Sequence, residues 1–214
     1  RKEGFQNTSE KNATASNPAV VDCGDVMLDN ALYYSNGIAK VREKYIFLTL
    51  HRPSNVDNPE FLLPFLQELV QISIDLGMEL HFAIHPRTAV SLENSYLKDE
   101  WERLKLNENF ILFPPFNYSE TLDKLTKASL VWTDSGGLCK EAFYMGTPCL
   151  ILRSETEWTE LVEHGYAKVV HNDLGRIKTE SLSFMKNGMP ESIDLYGNGH
   201  SAEIILSSIK SFFA

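Results

Sequence analysis

The chain has 214 residues, 43% of them hydrophobic and 23% charged, which suffices for the core of one large domain or two small ones. A formal net charge of −9 argues against nucleic acid or an anionic membrane as the main partner, so a phosphate-bearing ligand would have to be held by local geometry. No run of about 18 apolar residues and no charged-then-apolar leader occurs, and Cys23, Cys139 and Cys149 form no C-x-x-C pair. The expectation is a cytoplasmic chain with reduced thiols, no metal site, no cofactor, no nucleic acid and no membrane contact.

In chain order, residues from about Phe5 to Pro18 are polar and poor in bulky apolar side chains, which reads as a flexible connection or tail over residues 1–19. Val20 to Gly24 reads as a short strand turning at a glycine, and Met27 to Tyr34 as a short helix. From Tyr45 the pattern is regular. Tyr45 to Leu50 is an apolar strand, and Pro59 to Leu76 carries Phe61, Leu62, Phe65, Leu66, Leu69 and Ile72 at helical spacing. The unit repeats as Leu80–Ile84 with a helix near Thr88–Lys105, then Phe110–Phe113 with Ser119–Ala128, then the strand from Leu130 with a helix to Tyr144. Cys149–Leu152 with a helix around Glu157–His164, and Ala167–Val170 with a helix from about Asp173, complete the series. Continuous apolar strands alternating with helices predict an α/β fold, a doubly wound, Rossmann-like parallel sheet over residues 20–214. A glycine turn at Tyr196–Gly199 then leads to a final helix at about residues 201–213, whose apolar face needs a surface to pack on.

In such sheets ligands bind at the carboxyl ends of the strands. The loops there hold His51 and Arg52, His85 and Arg87, Phe116 and Thr121, Ser135-Gly136-Gly137, and Arg153 to Glu157. The Ser-Gly-Gly turn can seat a phosphate on the first N–H groups of the following helix, with glycines that admit close approach and unusual backbone angles; a purely steric turn is the equal alternative. Arg52 suits phosphate neutralisation, and His51 suits hydrogen bonding or proton transfer, with a capping histidine and a solvated arginine as the alternative. His85-Pro86-Arg87 repeats that arrangement one strand over, although a satisfied structural histidine fits equally. Phe116 and the backbone near Thr121 could cradle a flat base. Glu141, placed on the first turn of the helix after the glycines, could accept from ribose hydroxyls or merely complement the helix dipole.

Five stretches together are more specific than any one: Thr49–Val56, Ala83–Arg87, Thr133–Glu141, Gly146–Arg153 and Thr156–Glu160. In order and approximate spacing they resemble the UDP-N-acetylglucosamine 2-epimerases, which have a two-domain glycosyltransferase-B-type fold. The likeness runs from about Val20 to the glycine turn, and Arg1–Phe5 is similar to the segment before the family's interdomain connection. The resemblance implies that Ser135, Gly136 and Gly137 hold the diphosphate, Glu141 the uridine ribose, and Phe116 to Thr121 the uracil. His51 would face the reacting sugar as the catalytic residue on this side of the cleft. Family members eliminate UDP across C1 and C2 of the sugar to a glycal, then re-add UDP or, in hydrolysing forms, add water to give N-acetylmannosamine. Where many members have an arginine, this chain has Trp158 and Thr159, which makes Arg153 a candidate substitute. The family's acidic acid/base residues come from an N-terminal domain. The expectation is therefore the nucleotide-binding half, acting with a missing N-terminal domain or partner chain on which the last helix packs, inactive alone, and a homodimer when complete. The competing readings are a hydrolysing 2-epimerase, a non-catalytic nucleotide-sugar-binding subunit of a split glycosyltransferase, and an α/β phosphate-binding domain of unrelated chemistry.

Overall fold

A computed structural model describes residues 18–213, so the expected tail falls almost wholly outside the described residues, as does Arg1–Phe5. Two compact units divide the chain: Tyr34–Ser192, and the residues up to Tyr33 together with those from Ile193 onward.

The larger unit is built on six strands, β1 (Tyr45–Thr49), β2 (Glu79–Ala83), β3 (Phe110–Phe113), β4 (Leu130–Thr133), β5 (Cys149–Ile151) and β6 (Ala167–Val169). They form one sheet in the order β3-β2-β1-β4-β5-β6, with every pairing parallel. This is the doubly wound order, whose direction of winding reverses between β1 and β4. Alternation along the strands gives each face its own residues. Ile46, Leu48, Leu80, Phe82, Leu130 and Trp132 are buried in one cluster with Leu62, Leu66 and Leu69 of α3 (Pro59–Asp75) and with Ile177 of α9 (Leu174–Asn187). The opposite face, including Phe47, Val131 and Thr133, belongs to the side of α6 (Tyr118–Lys127) and α7 (Gly136–Tyr144), which bury Leu122, Leu125, Cys139 and Ala142. Burying one such leucine fully contributes about 1.5–3 kcal/mol, so the apolar stripes suffice to set which helix covers which face.

Two expected elements differ. The helix expected over Thr88–Lys105 is two helices, α4 (Pro86–Glu93) and α5 (Lys98–Lys105). Ser95 makes the break: its hydroxyl donates to the Leu92 carbonyl at 2.8 Å and accepts from the Leu97 N–H at 3.2 Å, the local competition with helix bonding that serine favours. The short strand expected at Val20–Gly24 has no ladder partner and is irregular. The turn at Gly24 is real, with φ of 78°, and the next N–H, of Asp25, donates to the Tyr196 carbonyl at 2.9 Å.

The smaller unit joins α1, which begins at Val26 and ends at Tyr34, to α10 (Ser201–Phe213). The Asp29 carboxylate accepts from the N–H groups of Ser201 at 3.1 Å and Ala202 at 2.7 Å, capping the positive end of α10. As expected, Gly197 and Gly199 turn the chain into that helix, with φ of 88° and 84°. Along α10, Leu206, Ile209 and Phe212 are exposed. No helix among the described residues is long and apolar enough to cross a membrane.

Candidate ligand site at the carboxyl ends of the strands

The reversal between β1 and β4 brings the loops after those strands face to face, and a buried carboxylate joins them. Asp134 follows β4 directly and is fully buried. Its Oδ2 accepts from the Arg52 N–H at 2.9 Å and from Asn55 Nδ2 at 3.0 Å, while the His51 N–H lies 3.1 Å from both oxygens. The His51 ring completes the set, with Nδ1 2.9 Å from Oδ1. Burial pushes the Asp134 carboxyl up, but the hydrogen bonds from His51, the Arg52 N–H and Asn55 outweigh it and hold the group below its ordinary value. A carboxylate on Nδ1 fixes the tautomer that leaves Nε2 for chemistry. Asn55 lies on α2 (Pro53–Val56) and also donates to the Leu152 carbonyl at 2.9 Å, tying the loop after β1 to the end of β5.

Thr133 prepares the turn that follows. Its hydroxyl lies 2.6 Å from that of Thr49 and accepts from the Ser135 N–H at 3.0 Å. Ser135 is the N-cap of α7, its hydroxyl accepting from the Leu138 N–H at 3.4 Å. The N–H groups of Gly136 and Gly137 have no acceptor among the described residues. Neither glycine has a positive φ, which corrects the expectation that they supply angles closed to other residues. What they supply is room: nothing lies within 4 Å of a Cβ at Gly137, whereas one at Gly136 would lie 2.8 Å from a Glu157 carboxylate oxygen. A helical backbone does not need glycine for its angles, whereas the close approach of the Glu157 carboxylate at Gly136 is itself a steric use of glycine.

A cleft of about 190 Å³ opens beside this turn, lined by Phe47, His51, His85, Phe116, Thr121 and Ser135 among others. The His51 and His85 ring centroids are 5.7 Å apart. His85 also caps α4, Nδ1 accepting from the Arg87 N–H at 3.2 Å, so it serves a structural role while facing the cleft. Arg87 is directed elsewhere: its guanidinium holds Asp57 through Nε at 2.7 Å and Nη2 at 2.6 Å. Phe116 packs against Phe113 at 5.3 Å and Phe47 at 6.2 Å between centroids. Thr121 donates its hydroxyl to the Asn117 carbonyl at 2.8 Å, so its side chain is occupied by its own helix.

Glu141 is the sixth residue of α7, not part of its first turn, so the helix-dipole reading falls away. Burial alone raises its carboxyl to about 7. The neighbouring Tyr118 hydroxyl is pushed up in turn, first by burial and then by the Glu141 charge.

The loop after β5 closes the rim. Arg153 Nη1 donates to Glu157 Oε1 at 3.2 Å and Nη2 contacts Oε2, and Arg52 Nη2 lies 3.7 Å from Oε1. Trp158 donates its indole N–H to the Gly136 carbonyl at 2.9 Å, and the buried Lys140 ammonium lies 3.7 Å from the indole centroid. Trp158 thus anchors the loop to α7, and Arg153 is held on Glu157. The helix begins only at Thr159, as α8 (Thr159–Glu163), so Glu157 precedes it.

Sequence reasoning gave no role to Asp134, Asn55 or Thr133. For Thr133 and Asp134 the available signal was a polar residue at the end of an apolar strand; Asn55, on α2, carried none.

Residues 8–210 match the family model described as UDP-N-acetylglucosamine 2-epimerase. A UDP-2,3-diacetamido-2,3-dideoxy-D-glucuronate 2-epimerase of Pseudomonas aeruginosa is 32% identical over 96% of this chain and 54% of its own length. A UDP-N-acetylglucosamine 2-epimerase of Methanocaldococcus jannaschii is 34% identical over 83% of this chain and 47% of its own. The crystal structure of a UDP-GlcNAc 2-epimerase from Methanocaldococcus jannaschii in complex with UDP-GlcNAc and UDP superposes with a TM-score of 0.75 at 29% identity, covering 94% of this chain and 57% of that one. The chain spans about half the length of these relatives. It belongs to the UDP-N-acetylglucosamine 2-epimerase family.

Proposed function

We propose that this chain is the UDP-binding half of a 2-epimerase acting on a UDP-linked 2-acetamido sugar. The observation that carries the reading is the N-terminus of α7, where the N–H groups of Gly136 and Gly137 have no acceptor among the described residues and the Cα of Gly137 is open, beside a histidine oriented by Asp134. The diphosphate rests on Gly136 and Gly137 with Arg52 and Arg153 alongside, the ribose on Glu141, and the base in the cleft lined by Phe116 and Thr121. His85 lines the same cleft, while Arg87, held by Asp57, contributes through the position of its loop.

In the reaction the C2 proton leaves to a base, the C1–O bond breaks, and its electron pair departs with UDP, leaving a C1–C2 double bond. Return of the proton to the other face of C2 and of UDP to C1 inverts the centre. This chain stabilises the departing diphosphate with aligned N–H groups and guanidinium charge, and His51 Nε2 hydrogen-bonds the leaving oxygen. The C2 acid/base groups are supplied by the part of the relatives' length that this chain does not span. Both N-acetylglucosamine and diacetamido-glucuronate relatives match it at similar identity, which supports the class of 2-acetamido sugar. Calorimetry with UDP and assay with UDP-N-acetylglucosamine test the reading: the 214-residue chain should bind UDP and release none from the nucleotide sugar. Absence of UDP binding, or turnover by this chain alone, would overturn it. Added to a chain that supplies the remaining length, it should restore turnover; free N-acetylmannosamine as the product would identify the hydrolysing form.

A further inference from the structure

The Glu157 carboxylate stands where a ligand anion would. A Cβ at Gly136 would lie 2.8 Å from Oε1 and 2.9 Å from Oε2, so the carboxylate rests against the bare Cα of the first residue of α7. The two guanidinium groups of this rim converge on it, Arg153 from the loop after β5 and Arg52 from the loop after β1. Arg153 holds the Glu157 carboxyl below its ordinary value, so it is ionised at neutral pH. An ordinary exposed pair spaced i,i+4 would join Arg153 to Glu157 and nothing more. Here a second arginine, distant in sequence, shares the same carboxylate, which lies against the Cα of Gly136 without accepting from an N–H of α7. The backbone around it is anchored, because Trp158 is hydrogen-bonded to the Gly136 carbonyl, whereas the Glu157 side chain itself is half exposed and can turn away.

Resting on the proposed UDP site, we infer that Glu157 is an internal stand-in for the ligand phosphate, covering the Cα of Gly136 and holding both arginines until a diphosphate displaces it. The Arg52–Glu157 pair is exposed and worth little, and the half-exposed Glu157 side chain can leave the more buried Arg153 to an incoming anion, which takes its place as partner. A diphosphate brings more charge and more acceptor oxygens than a carboxylate, so it wins Arg52 and Arg153. Uridine brings no anion and leaves Glu157 in place. The residue therefore lowers affinity for anions in general and sets a charge threshold for the seat.

Calorimetric titration of the wild-type chain, Glu157→Gln and Glu157→Asp with UDP, inorganic pyrophosphate and uridine tests this, with thermal melting as the folding control. Glu157→Gln should bind UDP and pyrophosphate about tenfold more tightly than wild type, Glu157→Asp should fall between, and uridine should bind all three alike. UDP binding by wild type with no gain, or a loss, in both variants would overturn the stand-in and leave the UDP site intact. A gain for pyrophosphate without UDP binding by wild type would uphold the stand-in and overturn the UDP reading. No binding of either anion by any of the three proteins would overturn both.

Discussion

Just past the C-terminal end of α7 the Met145 and Gly146 carbonyls accept from Arg42, whereas at its N-terminal end Gly136 and Gly137 present N–H groups to no acceptor among the described residues. The Arg42 guanidinium donates to the Leu125, Thr126 and Ala128 carbonyls at 3.1, 2.8 and 2.8 Å, to the Met145 carbonyl at 3.3 Å, and to the Gly146 carbonyl. One side chain thus collects the ends of α6 and α7 at the amino ends of the strands. A cavity of about 470 Å³ adjoins it there, lined by Arg42, Lys44, Met78 and Phe184 among others. The comparison separates stability from binding within a single helix. The end whose orphan groups are satisfied internally holds the fold, and the end left open is the one proposed to take the ligand.

Removing Arg42 should break the satisfied end and is the largest effect expected. Arg42→Ala strips five carbonyls of a charged donor, which costs about 2–3 kcal/mol given the partial exposure of the residue. The melting temperature should drop by roughly 4–10 °C, followed by circular dichroism. UDP affinity of the folded variant should stay within about twofold of wild type. A variant that melts like wild type would show that solvent replaces the guanidinium without cost.

At the other end, Gly136→Ala should do the reverse. The position is helical without positive φ, so a methyl is tolerated by the backbone, the Glu157 carboxylate that it meets is the far end of a half-exposed side chain and can shift, and alanine favours a helix over glycine by up to about 1 kcal/mol. The melting temperature should hold or rise. A methyl on the seat blocks the approach of a phosphate, and UDP affinity should fall about tenfold, or about 1.4 kcal/mol, by calorimetry. A large loss of stability would return the glycine to a steric role.

The same contrast explains what was legible in the sequence. Six apolar strand runs and the Ser-Gly-Gly break were readable because burial on both faces leaves an unbroken hydrophobic signature, and helix starts such as Asn117 and Asp173 carry capping residues. The doubly wound sheet and the clustering of polar loops on one rim followed from that alternation. Arg42 was not readable as the clamp of two helix ends, since its partners are carbonyls contributed by residues about 83 to 104 positions away. Asp134 was equally hidden: a carboxylate next to Ser135 reads as part of a loop until β1 is placed beside β4 and brings His51 and Asn55 onto it. Arg87 shows the same limit from the other side, a residue well placed in sequence whose guanidinium rests on Asp57, 30 positions earlier. Local chemistry is written in the sequence at short range, while the partners that turn a group inward or outward are set by the packing.

Glu141 gives the smallest expected effect and the sharpest test of which form of the site binds. Its carboxyl, raised to about 7 by burial, is protonated below neutrality in the folded chain and ionised above it. A raised folded value means that the associated stability is complete below the ordinary value of 4.5 and is lost as pH rises through about 7, so the wild-type melting temperature should decline between about pH 5 and 8. In Glu141→Gln that part of the slope should vanish. If the ionised carboxylate accepts from the ribose hydroxyls, binding favours deprotonation, and affinity should rise severalfold over the same window before levelling. UDP-N-acetylglucosamine is the suitable probe, because its diphosphate diester keeps its charge there, whereas the terminal phosphate of UDP titrates near pH 6. Glu141→Gln should bind more weakly at pH 8 with a flat profile. A wild-type profile equally flat would place the ribose away from Glu141 and leave the open end of α7 to hold the diphosphate without it.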